Sequence, residues 1–219
     1  MHIGAEYSLT GGAKGEKGMT TNQGSERGES AFGFSTRRIV VAGVIGGIAL
    51  FLGATRLGFI PVPIPLIGNA TIMHIPAVVG GALEGPVVGL LAGLIFGVFS
   101  FLYAESPVFV NPIVAVLPRL LIGVVAWAVF VSLRNRSVDV AAAVAGVLGS
   151  LTNTVGVLAL AVVFGLLPLA AIPAIIPQAV AEAILAAVVT VVVVRGVLLF
   201  RSGHATAPEP GSSDEERRY

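Results

Sequence analysis

Polar and charged positions crowd the two ends of this chain, and the middle is a succession of apolar runs broken by short polar or proline-bearing stretches. Six such runs stand out, at 39–55, 70–83, 86–103, 112–133, 140–167 and 172–200. Apolar stretches of about 18 residues or more with few charges predict membrane-spanning helices. The second run is short, which suits a tilted or partial span. Only Glu84-Gly85-Pro86 separates it from the third, a tight turn between antiparallel helices. The pattern therefore predicts an all-α membrane protein with six transmembrane helices spanning 37–201. A polar, disordered tail is expected before it (1–36) and a charged, disordered tail after it (202–219). Met19 is a second possible initiator, and the first tail is too long and too polar for a signal peptide.

The arginines give the orientation. Arg37 and Arg38 precede the first run, Arg134 and Arg136 lie between the fourth and fifth, and Arg195 and Arg201 close the sixth. Six spans bring all of them to one side, and the positive-inside rule makes that side, with both termini, cytoplasmic. The opposite loops carry only Arg56 and Glu105. Among them, Pro61-Val62-Pro63-Ile64-Pro65 is apolar and stiff, which suits either a lid over a cavity mouth or a connector in the interface.

Composition narrows the chemistry. Of 219 residues, 55% are hydrophobic and 11% charged, with a net charge of +1 and no cysteine. Disulfides, thiolate metal sites and cysteine nucleophiles are excluded. No basic patch with interleaved aromatics suggests nucleic acid. The histidines (His2, His74, His204) are far apart, so no metal site is expected. No catalytic constellation, phosphate-cradling loop or ATPase motif appears. The chain reads as non-catalytic and cofactor-free, and any energy for transport must come from partners.

Against this background the polar residues inside the runs are conspicuous: His74, Asn111, Arg119, Thr152, Asn153, Thr154, Gln178 and Glu182. A guanidinium keeps its proton at ordinary pH. Placing one in a spanning helix costs at least ~2.5 kcal/mol on insertion scales, so such a residue usually faces a cavity, partner or ligand. Counted from the outer helix ends, Arg119 and Gln178 lie ~10 Å deep and Glu182 ~15 Å. Gln178 and Glu182, four apart, share a helix face. An outer-half polar pocket among the fourth to sixth runs follows, with Arg119, Asn153, Gln178, Glu182, Asn111, His74 and Thr152 as candidate ligand-binding residues. The competing readings are a buried Arg119–Glu182 ion pair that only fixes packing, Asn153 as helix-to-helix glue, and His74 as an interfacial histidine. Glu84, at the cytoplasmic turn, is expected to be solvated.

Small residues recur at four-residue spacing: Gly89, Gly93 and Gly97 in the third run, Ala179, Ala183 and Ala187 in the sixth. Such stripes let helices pack closely in lipid. The first run carries more than one, with Ala42/Gly46, Gly43/Gly47 and Ala49/Gly53, a surplus that a second membrane protein could use.

Several stretches together resemble the substrate-binding S components of energy-coupling factor (ECF) vitamin transporters. They are His74-Ile75-Pro76-Ala77-Val78-Val79, the run from Leu83 to Gly97, Asn111-Pro112 through Arg119 to Gly123, and Leu151-Thr152-Asn153-Thr154. Glu84 and Val87 depart from the family's usual apolar and basic residues. The resemblance implies a bacterial plasma-membrane protein that binds a vitamin-like small molecule from outside. It would dock on a transmembrane T component carrying two ATP-binding subunits. By the same resemblance the first helix meets the T component, here through Ala42, Gly46 and Ala49. A permanent cation in the pocket slightly favours an acidic vitamin such as pantothenate or a folate, and pyridoxine-like compounds, thiamine precursors and queuosine precursors stay open. The rival functions are a structural or scaffolding membrane protein and a proton-coupled secondary transporter with Glu182 as carrier.

Overall fold

The computed structural model describes residues 35–60 and 70–205. The two predicted tails, apart from their inner edges, and the proline-rich 61–65 stretch lie outside the described residues. Among the described residues six α-helices run in chain order: α1 (Thr36–Ala54), α2 (Ile75–Glu84), α3 (Pro86–Leu102), α4 (Pro112–Leu133), α5 (Val138–Val163) and α6 (Ile172–Ala205). α1, α4, α5 and the stretch 169–202 around α6 are long and apolar enough to cross a membrane, so the chain is a multi-pass membrane protein. At ~1.5 Å per residue the ten residues of α2 reach only ~15 Å.

Local sequence sets the helix starts. The Ser35 and Ser137 hydroxyls accept from the backbone N–H groups of Arg38 and Val140, capping α1 and α5. Asn111 caps α4 by accepting from Ile113 N at 2.9 Å, and Pro112 follows it. Glycine at 85, with φ of 101°, makes the turn that reverses α2 into α3. Several edges differ from the sequence reading. α6 continues to Ala205, past the expected start of the second tail. The fold is also not purely helical. Ala70–Thr71 forms a strand, β2, paired antiparallel with β1 (Phe59–Ile60) in the register Phe59↔Thr71. The second apolar run is thus strand first and helix only from Ile75, where Pro76 suits a first helical turn.

The helices pack through backbone contact. A Cβ on Gly81 would lie 2.1 Å from the Gly123 carbonyl oxygen, and one on Gly123 would lie 2.3 Å from the Gly89 Cα. α2, α3 and α4 therefore meet where none has a side chain, as small-residue contacts in lipid allow. α5 meets α6 the same way, Gly146 against the backbone of Ala186 and Ala187.

On α1 the stripe expected to meet a partner lies on the buried face. Its buried face is Ala42, Gly46, Ala49 and Gly53. Gly46 packs on Ile95 of α3, and Gly53 on Met73 and Phe99. Ala42, Gly46 and Ala49 thus lie on the face of α1 that packs inside the bundle. The second stripe is the open one: a Cβ on Gly43 or Gly47 would meet nothing within 4 Å.

Glu84 is also corrected, since its side chain is only 8% exposed. Its carboxylate pairs with Arg37 of α1 at 3.0 Å and with Arg201 of α6. This triad ties the first and last helices to the α2–α3 turn at the end of the bundle where α1 begins and α6 ends. Asp139 and Arg195 join α5 to α6 nearby.

Candidate functional site

The end of the bundle opposite the Glu84 triad holds a cavity of about 780 Å³, its open mouth included. Arg119 (α4), Asn153 (α5), Gln178 and Glu182 (α6) line it, and each side chain is more than nine-tenths buried. Asn111, Thr152 and His74 lie outside the lining. The Asn111 side chain is spent on capping α4. Thr152 donates its hydroxyl to Leu148 O at 2.7 Å, so it satisfies its own helix. His74 is fully buried at the start of α2. Thr154, one residue beyond Asn153, does line the cavity.

A proline holds Arg119. In an α-helix residue 118 would donate its N–H to Val114 O, but Pro118 has none. The freed Val114 carbonyl accepts from Arg119 Nη1 at 3.0 Å instead. The guanidinium also lies 4.6 Å from the Phe109 ring centre and 5.4 Å from that of Phe96, within cation–π range of both. Its Nε has no hydrogen-bond partner among the described residues.

α6 supplies the opposite charge. Glu182 Oε1 accepts from Gln178 Nε2 at 3.2 Å, the four-residue contact expected on one helix face. The same oxygen accepts from the backbone N–H of Thr71 at 2.8 Å, which fastens β2 to α6. Arg119 and Glu182 do not form an ion pair within 4.0 Å, and both face the cavity. Gln178 Oε1 and Asn153 Oδ1 likewise lack hydrogen-bond partners among the described residues.

Much of the remaining wall is aromatic and was missed from sequence. Phe96, Phe99 and Tyr103 come from one face of α3 and its end, Phe59 from β1, and Phe109 from a 3-10 turn at Pro107–Val110 that precedes α4. Their 96/99/103 spacing was the available signal. Phe99 and Tyr103 stack with ring centres 4.7 Å apart. Near the mouth Glu105 accepts from Arg56 at 2.7 Å. No group of three or more potential metal-ligating side chains is found among the described residues.

Chemically, the site offers flat apolar walls, one buried cation, one buried carboxylate and two unengaged amide oxygens. That suits orientation-specific binding of a small polar molecule. The family model described as ECF transporter, substrate-specific component, matches residues 37–194 of the chain. No curated protein matches it.

Proposed function

The chain belongs to the family of ECF transporter substrate-specific components, and on that premise we propose that it captures a vitamin or related micronutrient at the outer face of the bacterial plasma membrane. It then presents the solute to a T component driven by two ATP-binding subunits. The observation that carries this reading is the convergence of Arg119, Asn153, Gln178 and Glu182, from three helices, on one cavity at the end away from the termini. A scaffold would be expected to pair such groups with one another, because a buried polar atom without a partner costs about 1–3 kcal/mol. Here three of them keep unengaged atoms beside the cavity.

The arginine-rich helix ends on the termini side support a six-span arrangement with that side cytoplasmic. The cavity mouth then faces outward, and the Glu84 triad lies on the side where ATPases act. Partner contact belongs on the uncovered face of α1 around Gly43 and Gly47, flanked by exposed Val40, Val44 and Ile48. The expectation of an acidic vitamin rested on Arg119 alone. Glu182 in the same cavity offsets that charge, so acidity no longer distinguishes the substrate.

Reconstitution in proteoliposomes tests the reading. Uptake of the co-purifying solute should require the T component, both ATP-binding subunits and ATP. Uptake by this chain alone, driven by a proton gradient, would replace the proposal with a secondary transporter.

A further inference from the structure

We propose that the groove between the start of α1 and the end of α6 binds one anionic phospholipid, its phosphate held jointly by Arg37 and Arg201 and its acyl chains laid along the apolar walls below. The inference does not depend on what the cavity captures. It starts from one carboxylate. Glu84 Oε2 meets Arg37 Nη2 at 3.0 Å, and Glu84 Oε1 meets Arg201 Nη2. Two guanidiniums are thereby brought side by side onto the two oxygens of a single group. Two positive charges stand against one negative, which leaves one positive charge uncompensated within the triad. The carboxylate is buried, while the Arg37 and Arg201 side chains stay 69% and 47% exposed. A guanidinium has five N–H donors, and one carboxylate shared between two of them can use only a few.

Position selects the partner. Arg37 is the second residue of one apolar spanning stretch, 36–54, and Arg201 the last but one of another, 169–202. Arginines at the ends of spans meet the headgroup layer, where anionic lipids concentrate basic side chains. Below the arginines, α1 and α6 are not packed against each other among the described residues. Each rests on α2 instead, α1 through Ile45 against Gly80. Val41, one turn below Arg37, and Val197, one turn below Arg201, are both half-buried, as is Leu83 beside Glu84. A molecule with a phosphate at one end and hydrocarbon at the other fits both parts. The phosphate neutralises the triad through charge-assisted hydrogen bonds, and the chains cover the walls. An acidic protein segment would match the charge alone.

Native mass spectrometry of the full chain in detergent, titrated with palmitoyl-oleoyl phosphatidylglycerol or with the phosphatidylcholine of the same chains, tests this. One phosphatidylglycerol per chain should bind roughly 10-fold or more tightly than phosphatidylcholine, and Arg37→Gln or Arg201→Gln should each cut that preference about 5-fold, the worth of one basic residue near an anionic surface. Arg136→Gln, which removes a cation from the α4–α5 turn, should leave the preference unchanged. Glu84→Gln removes the protein's own anion and keeps both arginines, so phosphatidylglycerol should hold or tighten although the ion pairs are gone. Excess inorganic phosphate, which has no chain to lay on the walls, should not displace the lipid. Equal affinity for the two lipids overturns the proposal. So does an equal loss in Arg136→Gln, which would leave only a general attraction of this end for anionic lipid. Weaker phosphatidylglycerol binding in Glu84→Gln, or displacement by phosphate, overturns it as well. A chain that carried no solute in its cavity would still give each of these results.

Discussion

Gly93→Ala adds one methyl group where α3 crosses α4. The new Cβ would sit 2.1 Å from the carbonyl oxygen of Arg119 and 2.9 Å from its carbonyl carbon. Ordinary contact begins near 3.4 Å, so the two backbones must separate by about 1.3 Å at the residue that carries the buried cation. No flexible side-chain tip can give way, because the obstacle is main chain. Overpacking of this kind typically costs 1–3 kcal/mol. Alanine regains up to ~1 kcal/mol in helix propensity. Because the clash is with backbone, the upper part of the overpacking range applies, and a net loss of ~1–2 kcal/mol is expected. Affinity should fall further than stability. Phe96 lies on α3 three residues beyond Gly93, and α4 carries the guanidinium that rests 5.4 Å from its ring. Separating the helices opens that contact and turns Arg119 away from its partners. A loss of ~1.4–2.7 kcal/mol of binding, about 10- to 100-fold in Kd, is predicted. The assay is thermal unfolding in nanodiscs paired with ligand affinity. Gly43→Ala is the control, since its Cβ would meet nothing within 4 Å. If both substitutions leave melting temperature and affinity alike, the close approach of α3 to the arginine does not shape the site.

Pro118→Ala restores an N–H that competes for Val114 O. It should raise stability by up to ~3 kcal/mol, the helix-interior cost of proline, while weakening ligand binding. Parallel gains in both would show that the proline has no part in aiming Arg119. Glu84→Gln should lower stability by about 1 kcal/mol at low salt, less in 1 M NaCl, because Arg37 and Arg201 are largely exposed and screened; thermal melts across a salt series measure it. Gly47→Leu should preserve ligand affinity while reducing co-purification with the T component, and undiminished co-purification would move the interface off this face of α1.

Much of the helical framework could be read from the chain, because apolar length and flanking arginine are one-dimensional signals. The lining pair on α6 was legible for the same reason: Gln178 and Glu182 are four residues apart, so one face follows from the helix repeat. Rotation is where reading failed. Thr152 and Asn153 are adjacent in sequence but point about 100° apart on a helix, and only Asn153 lines the cavity. Asn111 was legible as a cap, since it immediately precedes Pro112 at a helix start. Its place near the outer end of the fourth run grouped it with the pocket residues instead. On α1 both stripes are small, and the inward one is the longer, 42/46/49/53, whose spacing follows the helix repeat. The β1–β2 pairing joins residues across the 61–69 segment, and no local periodicity announces two-residue strands. The Glu84 triad joins residues far apart in the chain, which only the assembled fold brings together.

Native mass spectrometry of the chain released from nanodiscs, beside Arg119→Gln, tests most directly whether this cavity captures a solute. The wild-type protein should carry a noncovalent small molecule at one per chain. The variant should lose it while keeping the same melting temperature within a few degrees. Equal retention by both proteins, or no adduct on the wild type even after incubation with a cell extract, would contradict the account.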